Sequence, residues 1–248
     1  MNSFSLPSAL LKNPKTRVIL LIVALCLFSL YRGSTGLLPA VSQIILAVLT
    51  AVFAEFAIYG KIPATSLLSP VISGLIVGIL IVPGTDMELV WAASAIAIAS
   101  KKLFQTADAR HIFNPAAFGL ATVILLFGNK INWWGFSSPY LVITAGGFIL
   151  YRMNRLSMVF SYILFRILSA SMTGSYGIGL EIFQFPNLFF AFVMLIEPKT
   201  SPSIRTQQWV FGGLTGILST VFFSLLPSTE GDLFALLQCS FCIIKFRI

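Results

Sequence analysis

Charged residues are scarce in this sequence. Lys, Arg, Asp and Glu make up 10% of the 248 residues, and hydrophobic residues make up 57%. A soluble domain typically has about 25% charged residues. The composition therefore excludes an ordinary soluble domain and predicts an integral membrane protein whose first partner is the lipid bilayer. The net charge of +8 is typical of the cytoplasmic loops of membrane proteins. Without a nucleic-acid-binding motif, it does not indicate a nucleic-acid partner.

Cysteine and histidine are also rare. Three cysteines are too few for a disulfide framework, and one histidine cannot supply the three or four ligands of a zinc site. Cys239 and Cys242 form a C-x-x-C motif within an apolar stretch. Two thiolates do not complete a metal site, so we interpret them as small buried hydrophobic residues rather than a metal or redox pair. No metal is expected.

Apolar runs fill the rest of the chain. A helix rises 1.5 Å per residue, and about 20 residues cross the hydrocarbon. On this scale we predict ten segments, at 17–32, 37–59, 66–82, 88–104, 112–128, 137–151, 156–172, 183–196, 208–226 and 232–245. The third, fifth, eighth and tenth are short or are bounded by Pro or Gly. We therefore expect half-helices or re-entrant pieces there.

The distribution of Lys and Arg predicts the orientation. With a cytoplasmic N-terminus, 13 of these residues fall on the inner side and two, Arg32 and Lys130, on the outer side. Five acidic residues fall at outer ends: Asp86, Glu88, Glu181, Glu230 and Asp232. This bias places both termini in the cytoplasm. Trp133, Trp134 and Tyr140 fall at an outer boundary and are interpreted as interfacial anchors.

The sequence also contains an internal repeat. Leu80–Thr85 reads LIVPGT and Leu195–Thr200 reads LIEPKT, an offset of 115 residues. The same shift carries the first five segments onto the last five. Because five is odd, the second half must be inverted. We predict a single membrane domain over 1–248, with one repeat at about 17–128 and the other at about 136–246. Broken helices at matching positions are typical of sites near the middle of the membrane.

Two polar stretches interrupt the apolar pattern, one from Lys101 to Gly119 and one from Leu195 to Ser203. Helix breakers and charges are costly at membrane depth, because the freed backbone groups and ions find no water there. We predict that these two interruptions mark the functional site. Asn114 followed by Pro115 is typical of a helix start, with Asn as the cap.

Several runs resemble a known family. They are AEF at Ala54–Phe56, SGLIVGILIVP at Ser73–Pro83, KKLF at Lys101–Phe104, RHIFNPAAFG at Arg110–Gly119 and EPKTSP at Glu197–Pro202. From about residue 17 to 245, the chain resembles the RnfD/NqrB family. Its members are membrane subunits of the Rnf electron-transport complex and of the sodium-translocating NADH:quinone oxidoreductase. The resemblance implies ten spans in an inverted repeat, a urea-channel-like architecture, and redox-driven ion pumping with other membrane subunits.

The chain departs from this family at the flavin attachment site. Family members carry FMN on a Thr in a long outer loop after the fifth span, whereas loop 128–136 here (GNKINWWGF) has no Thr. The nearest candidate is Thr173 in SASMTG, which lacks the flanking Asp. Covalent FMN is therefore not expected. The resemblance leaves room for a non-covalent flavin, FMN or riboflavin. The acidic residue before the second Pro is usually Asp in the family and is Glu197 here.

The candidate site residues each have two interpretations. His111 either relays a proton or contacts a phosphate beside Arg110, or it is a polar cap at the membrane edge. Glu197 and Thr200, with Ser201, either bind a cation or hydrogen-bond an isoalloxazine edge, or they cap a re-entrant turn. Glu55 and Arg166 lie within segments two and seven. We predict that they form an ion pair with each other or lie on an ion pathway.

These observations predict an all-α, inner-membrane protein of prokaryotic type, acting as an RnfD-like component of an electron-transfer complex. The first alternative is a stand-alone channel or carrier for a small solute or ion that uses the same broken-helix site. A scaffold for partner subunits is the second. An enzyme with its own catalytic residues is least favoured, because the sequence shows no nucleophile–base pair.

Overall fold

The computed structural model describes residues 13–33, 36–60, 66–107, 110–128, 131, 133–134, 138–173, 188–225 and 230–245. Regular structure in these ranges is helical, and strand-like pairing is limited to two isolated bridges, Ile81 with Ile131 and Gln105 with His111. The prediction of an all-α fold is confirmed for this part of the chain.

The first half comprises α1 (Pro14–Tyr31), α2 (Leu37–Tyr59), α3 (Leu68–Leu80), α4 (Met87–Leu103) and α5 (Pro115–Phe127). The second half begins with a helix that passes from α6 (Pro139–Leu141) through a π-helical segment, π1 (Val142–Gly146), into α7 (Gly147–Met153). It continues with α8 (Leu156–Met172), a second π-helical segment, π2 (Phe190–Met194), α9 (Arg205–Leu225) and α10 (Gly231–Lys245).

Among the described residues, three helices are long and apolar enough to cross a membrane: α1, α2 and α9. Shorter apolar helices lie at Leu68–Leu80, Pro115–Phe127, Leu156–Met172 and Gly231–Cys242. The chain is therefore a helical protein with membrane-spanning helices. The helices coincide with the predicted apolar segments to within a few residues. Part of the eighth segment, 183–187, lies outside the described residues.

Two helices begin with the same Asn-Pro capping motif. Asn114 Oδ1 accepts a hydrogen bond from Ala117 N at 3.0 Å, and Asn13 Oδ1 accepts one from Lys15 N at 3.0 Å. In each helix a Pro follows at the first helical position, where its missing N–H costs nothing. The predicted helix start at Asn114 and Pro115 is confirmed.

In two pairs of helices, a glycine allows the two backbones to approach each other closely. A Cβ on Gly119 of α5 would lie 2.2 Å from the carbonyl oxygen of Ala93 in α4. A Cβ on Gly212 of α9 would lie 2.2 Å from the carbonyl oxygen of Met158 in α8. Small residues let backbones approach closely in this way in membrane helix packing.

The short helix α3 lies in the interior. Every residue from Ser73 to Leu80 is buried, whereas α1 and α2 expose large apolar side chains such as Leu27 and Phe53. A helix of 13 residues reaches about 20 Å, less than the hydrocarbon thickness of about 30 Å. The short helix therefore ends within the protein, surrounded by longer helices with lipid-facing surfaces.

The C-terminal end of α3 is capped by side chains. Gln43 Nε2 donates to the carbonyl oxygens of Gly78 (2.7 Å) and Ile81 (2.9 Å), and Trp134 Nε1 donates to Gly78 O (3.3 Å). Trp133 and Trp134 are buried, so their interpretation as interfacial anchors is wrong. A helix that ends inside the protein needs donors for its last carbonyls, and the Trp134 indole is one of them. Tyr140 is exposed, as an anchor should be.

Candidate functional site

The two polar interruptions lie against each other. His111 Nε2 is 3.1 Å from Glu197 Oε1, and the His111 side chain is buried. His111 is positioned by the short pairing between its backbone and Gln105, just before the Asn114 cap of α5. Glu197 lies in the turn that follows π2. Two stretches that are distant in the sequence therefore contact each other.

The Glu197 turn is held by its own polar groups. Thr200 N and Ser201 N donate to the Glu197 carbonyl oxygen at 3.2 and 3.0 Å, and Ser201 Oγ donates to it at 2.7 Å. Thr200 Oγ1 donates to the carboxylate oxygen Oε2 of Glu197 at 3.4 Å. Thr200 and Ser201 thus form the capped turn of the second interpretation. The carboxylate remains directed at His111.

Two further residues fasten this turn to neighbouring helices. Asn114 Nδ2 donates to the carbonyl oxygen of Met194 at 3.4 Å, which joins the start of α5 to the end of π2. Arg155, buried at the start of α8, donates to Ser201 Oγ at 3.1 Å and to the carbonyl oxygen of Pro202. Arg155 was not among the residues predicted from the sequence, although its position just before an apolar helix was a visible signal.

A cavity of about 360 Å³ opens beside this contact. It is bounded by the starts of α1, α3 and α5, by the end of α7 and by the Glu197 turn. Its walls are mainly aliphatic, and its polar lining residues are Asn13, Lys15, Ser69, Ser73, Asn114, Glu197 and Lys199. All these elements meet at one end of the helix assembly.

A buried ion pair lies close to the cavity. Lys101 Nζ is 3.0 Å from Glu55 Oε2 and donates to Ser69 Oγ at 3.2 Å. Lys101 is buried, whereas its neighbour Lys102 is exposed. Because a buried carboxylate without a partner is costly, Glu55 takes a cation at its own end of the molecule. In the sequence Lys101 and Lys102 form one basic run, and only the rotation of the helix distinguishes them.

Arg166 has a different partner. Its Nη1 contacts Asp232 Oδ1 and also donates to Tyr162 Oη at 2.8 Å, while Tyr162 Oη donates to Asp232 at 2.9 Å. The predicted pairing of Arg166 with Glu55 is wrong. Glu55 and Arg166 are each neutralised by a residue at the same end of the molecule, so neither side chain has to reach across the protein. Asp232 was recognised in the sequence as an acidic residue at a helix end, and this was the available signal.

Arg110 lies apart from the other candidates. Its side chain is exposed and does not line the cavity. Its backbone pairs with Thr106, whose N–H donates to Arg110 O at 2.8 Å. The structure thus brings together His111, Asn114, Glu197, Thr200 and Ser201, and does not add the Arg110 guanidinium to them.

The polar groups of this arrangement can exchange protons or cations. Two carboxylates, those of Glu55 and Glu197, lie near the cavity, and each is contacted by a basic side chain. Among the described residues, no group of three or more His, Cys, Asp or Glu side chains is placed to hold a metal ion. A carboxylate beside an imidazole can accept and release a proton.

These features define the class of the chain, a helical membrane protein with a polar site at one end of its described helices. No family model matches the chain, and no curated protein matches it.

Proposed function

We propose that this chain is a membrane subunit of an electron-transport complex of the Rnf or sodium-translocating NADH:quinone oxidoreductase type, located in the cytoplasmic membrane of a prokaryote. Its role is to help couple electron transfer to ion translocation. One observation carries the proposal. The two runs with the most specific resemblance, R-H-I-F-N-P and E-P-K-T-S-P, meet through the 3.1 Å contact between His111 and Glu197. In this proposal His111 and Glu197 exchange the proton or cation.

The proposal includes ten spans in two inverted five-segment repeats, urea-channel-like in arrangement, with both termini cytoplasmic. Each half has one member of a buried ion pair on the matching helices α2 and α8, whereas the partner helices α4 and α10 are not matched by the repeat. In the first half, Glu55 near the end of α2 pairs with Lys101 near the end of α4. In the second half, Arg166 near the end of α8 pairs with Asp232 at the start of α10. With the predicted orientation, the first pair lies at the inner side and the second at the outer side.

A non-covalent flavin, FMN or riboflavin, fits this site only in part. The Asn114 amide and the Glu197 carboxylate could hydrogen-bond its ring edge, and aliphatic walls could contact its faces. Among the described residues that line the cavity, however, no aromatic ring is present to stack on it. We therefore derive no electron-transfer step through a flavin in this cavity. The ion-coupling role rests on the polar contact alone.

The lack of an aromatic ring among the described lining residues favours a second candidate function, a stand-alone channel or carrier for a small solute or ion. A cavity without stacking rings suits a small hydrated ligand better than a planar cofactor. In that case transport needs no electron donor and no partner subunits.

Ion uptake into inverted membrane vesicles tests the first proposal against the second. In vesicles energised by an electron donor, Glu197→Gln should lower the rate of ion uptake roughly tenfold, the effect of losing one charge-assisted contact. Lys102→Gln, which changes an exposed lysine at the same end, is the control and should leave the rate unchanged. Purified wild-type protein in liposomes should show no flux without the donor. Flux there, lost in Glu197→Gln, would establish the channel and overturn the electron-transport role.

A further inference from the structure

The mouth of the cavity carries two cations that have no ion-pair partner among the described residues. Lys15 and Lys199 both line it. Two carboxylates, those of Glu55 and Glu197, attract Lys15 but are already contacted by Lys101 and His111. The described part of this site therefore presents surplus positive charge to whatever occupies the cavity.

The position of Lys15 makes this surplus unfavourable in an empty site. Lys15 is half-buried and lines the same cavity as Lys199, whose like charge repels it. It also lies in the first turn of α1, where the positive end of the helix dipole disfavours a cation. An anion held between the two ammonium groups would remove both repulsions. The charges thus indicate an anionic ligand group at the mouth.

The interior of the cavity indicates an apolar ligand body. Behind the two lysines the walls are formed by Val18, Ile72, Ile76, Val193 and Ile196. The volume of about 360 Å³ lies within the usual range for ligand sites, roughly 300–1,000 Å³. Because the described lining residues include no aromatic ring, the cavity favours a flexible aliphatic chain over a planar ring system.

The location of the site agrees with a ligand taken from the membrane. The cavity includes the start of α1, a helix long enough to cross the membrane, and the ends of such a helix lie near the level of the phospholipid phosphates. Basic residues at that level attract anionic lipids. We propose that the cavity binds one anionic phospholipid, with its phosphate between Lys15 and Lys199 and part of an acyl chain among the aliphatic side chains. This inference holds for either candidate function.

Purified full-length protein offers a direct test. Titration with phosphatidylglycerol should raise its Tm, and phosphatidylcholine should not. Lipid extraction and mass spectrometry should recover phosphatidylglycerol bound to the wild-type chain. Each basic contact with an anionic lipid contributes a few-fold in affinity, so Lys15→Gln with Lys199→Gln should weaken phosphatidylglycerol binding roughly 30-fold. Lys102→Gln is the matched control and should bind as the wild type does.

Additional variants and ligands keep the test decisive. Lys15→Arg with Lys199→Arg keeps the charge and should retain the lipid, and this pair also reports on binding if the Gln variant fails to fold. Ile72→Phe should reduce binding by filling the cavity while leaving both lysines in place. Equal binding of phosphatidylcholine, or unchanged binding in both the Gln pair and Ile72→Phe, would overturn the proposal. Stabilisation by FMN with no effect of phosphatidylglycerol would assign the anion site to a cofactor instead, and would also overturn it.

Discussion

The buried charges of Glu55 and Arg166 are each neutralised by a nearby residue of opposite charge. Arg166 and Asp232 are both buried and share Tyr162 as a common hydrogen-bond partner. Removing one member of such a pair leaves an uncompensated buried charge, which costs roughly 3–5 kcal/mol. Arg166→Leu and Asp232→Leu should each lower the thermal stability or folded yield sharply. The double variant should be more stable than either single variant.

The pair of Glu55 and Arg166, which do not contact each other, is the control for this double-mutant cycle. Glu55 belongs to a separate ion pair with Lys101, so losses from Glu55→Leu and Arg166→Leu should add. Strong coupling between Glu55 and Arg166, with none between Arg166 and Asp232, would contradict the observed pairing.

Thr173 permits a second prediction at this scale. It is exposed at the end of α8, where its hydroxyl donates to the carbonyl oxygen of Ser169 at 3.2 Å. Loop 128–136 has no Thr that could carry covalent FMN, so denatured protein on a gel should be dark under ultraviolet light. A fluorescent band that disappears in Thr173→Ala would show that SASMTG is an attachment site after all.

The sequence predicts contacts that form within one helical turn better than contacts that depend on how helices pack. The Asn114 cap was predictable because it acts within one helical turn. The partners of Glu55 and Arg166 were not, because they depend on how helices rotate and pack. The contact between His111 and Glu197 was predictable in outline only, since two costly interruptions had reason to share one site.

Individual helices depend on glycine for their packing. Gly119→Ala would place a Cβ 2.2 Å from Ala93 O, a backbone atom that cannot move aside without shifting α4. We expect a loss of about 1–3 kcal/mol, typical of overpacking, seen as a lower Tm or a smaller monodisperse peak.

Gly147 provides the matched control. Within the described part of the chain, its added Cβ would meet only Phe192 Cε1, at 4.0 Å. Gly147→Ala should therefore be neutral or stabilise α7 by about 0.5–1 kcal/mol through helix propensity. Equal losses of stability in Gly119→Ala and Gly147→Ala would show that the close approach of α4 and α5 is not what limits substitution at Gly119.

Helix positions were predictable because long apolar runs separated by Pro and Gly mark them directly. The π-helical character of π1 and π2 was not, because a shift in hydrogen-bond register leaves no local pattern in apolar sequence. The burial of Trp133 and Trp134 was also missed, since the same residues serve as anchors in many membrane proteins.

The whole molecule has a predicted orientation that can be measured. Asp86 immediately precedes α4, and Lys199 lies in the Glu197 turn. Reporter fusions at Asp86 and Lys199 should report the outer and inner sides respectively, because the Lys and Arg bias favours cytoplasmic loops. Fusions that report the same side would contradict the inverted repeat. A membrane class follows from composition, and three helices in the described part of the chain are long enough to cross a membrane, whereas sidedness rests on charge bias.

The contact between His111 and Glu197 also has a consequence for synthesis. The two residues are 86 positions apart, so Glu197 leaves the ribosome well after His111. At about 5–20 residues per second, this interval is roughly 4–17 s. During that interval α5 to π2 are made while His111 lacks its carboxylate partner and the Asn114 amide lacks the Met194 carbonyl. The contact between the two polar stretches therefore forms only after most of the chain has been made, and until then the polar end of the first half lacks its partners from the second half.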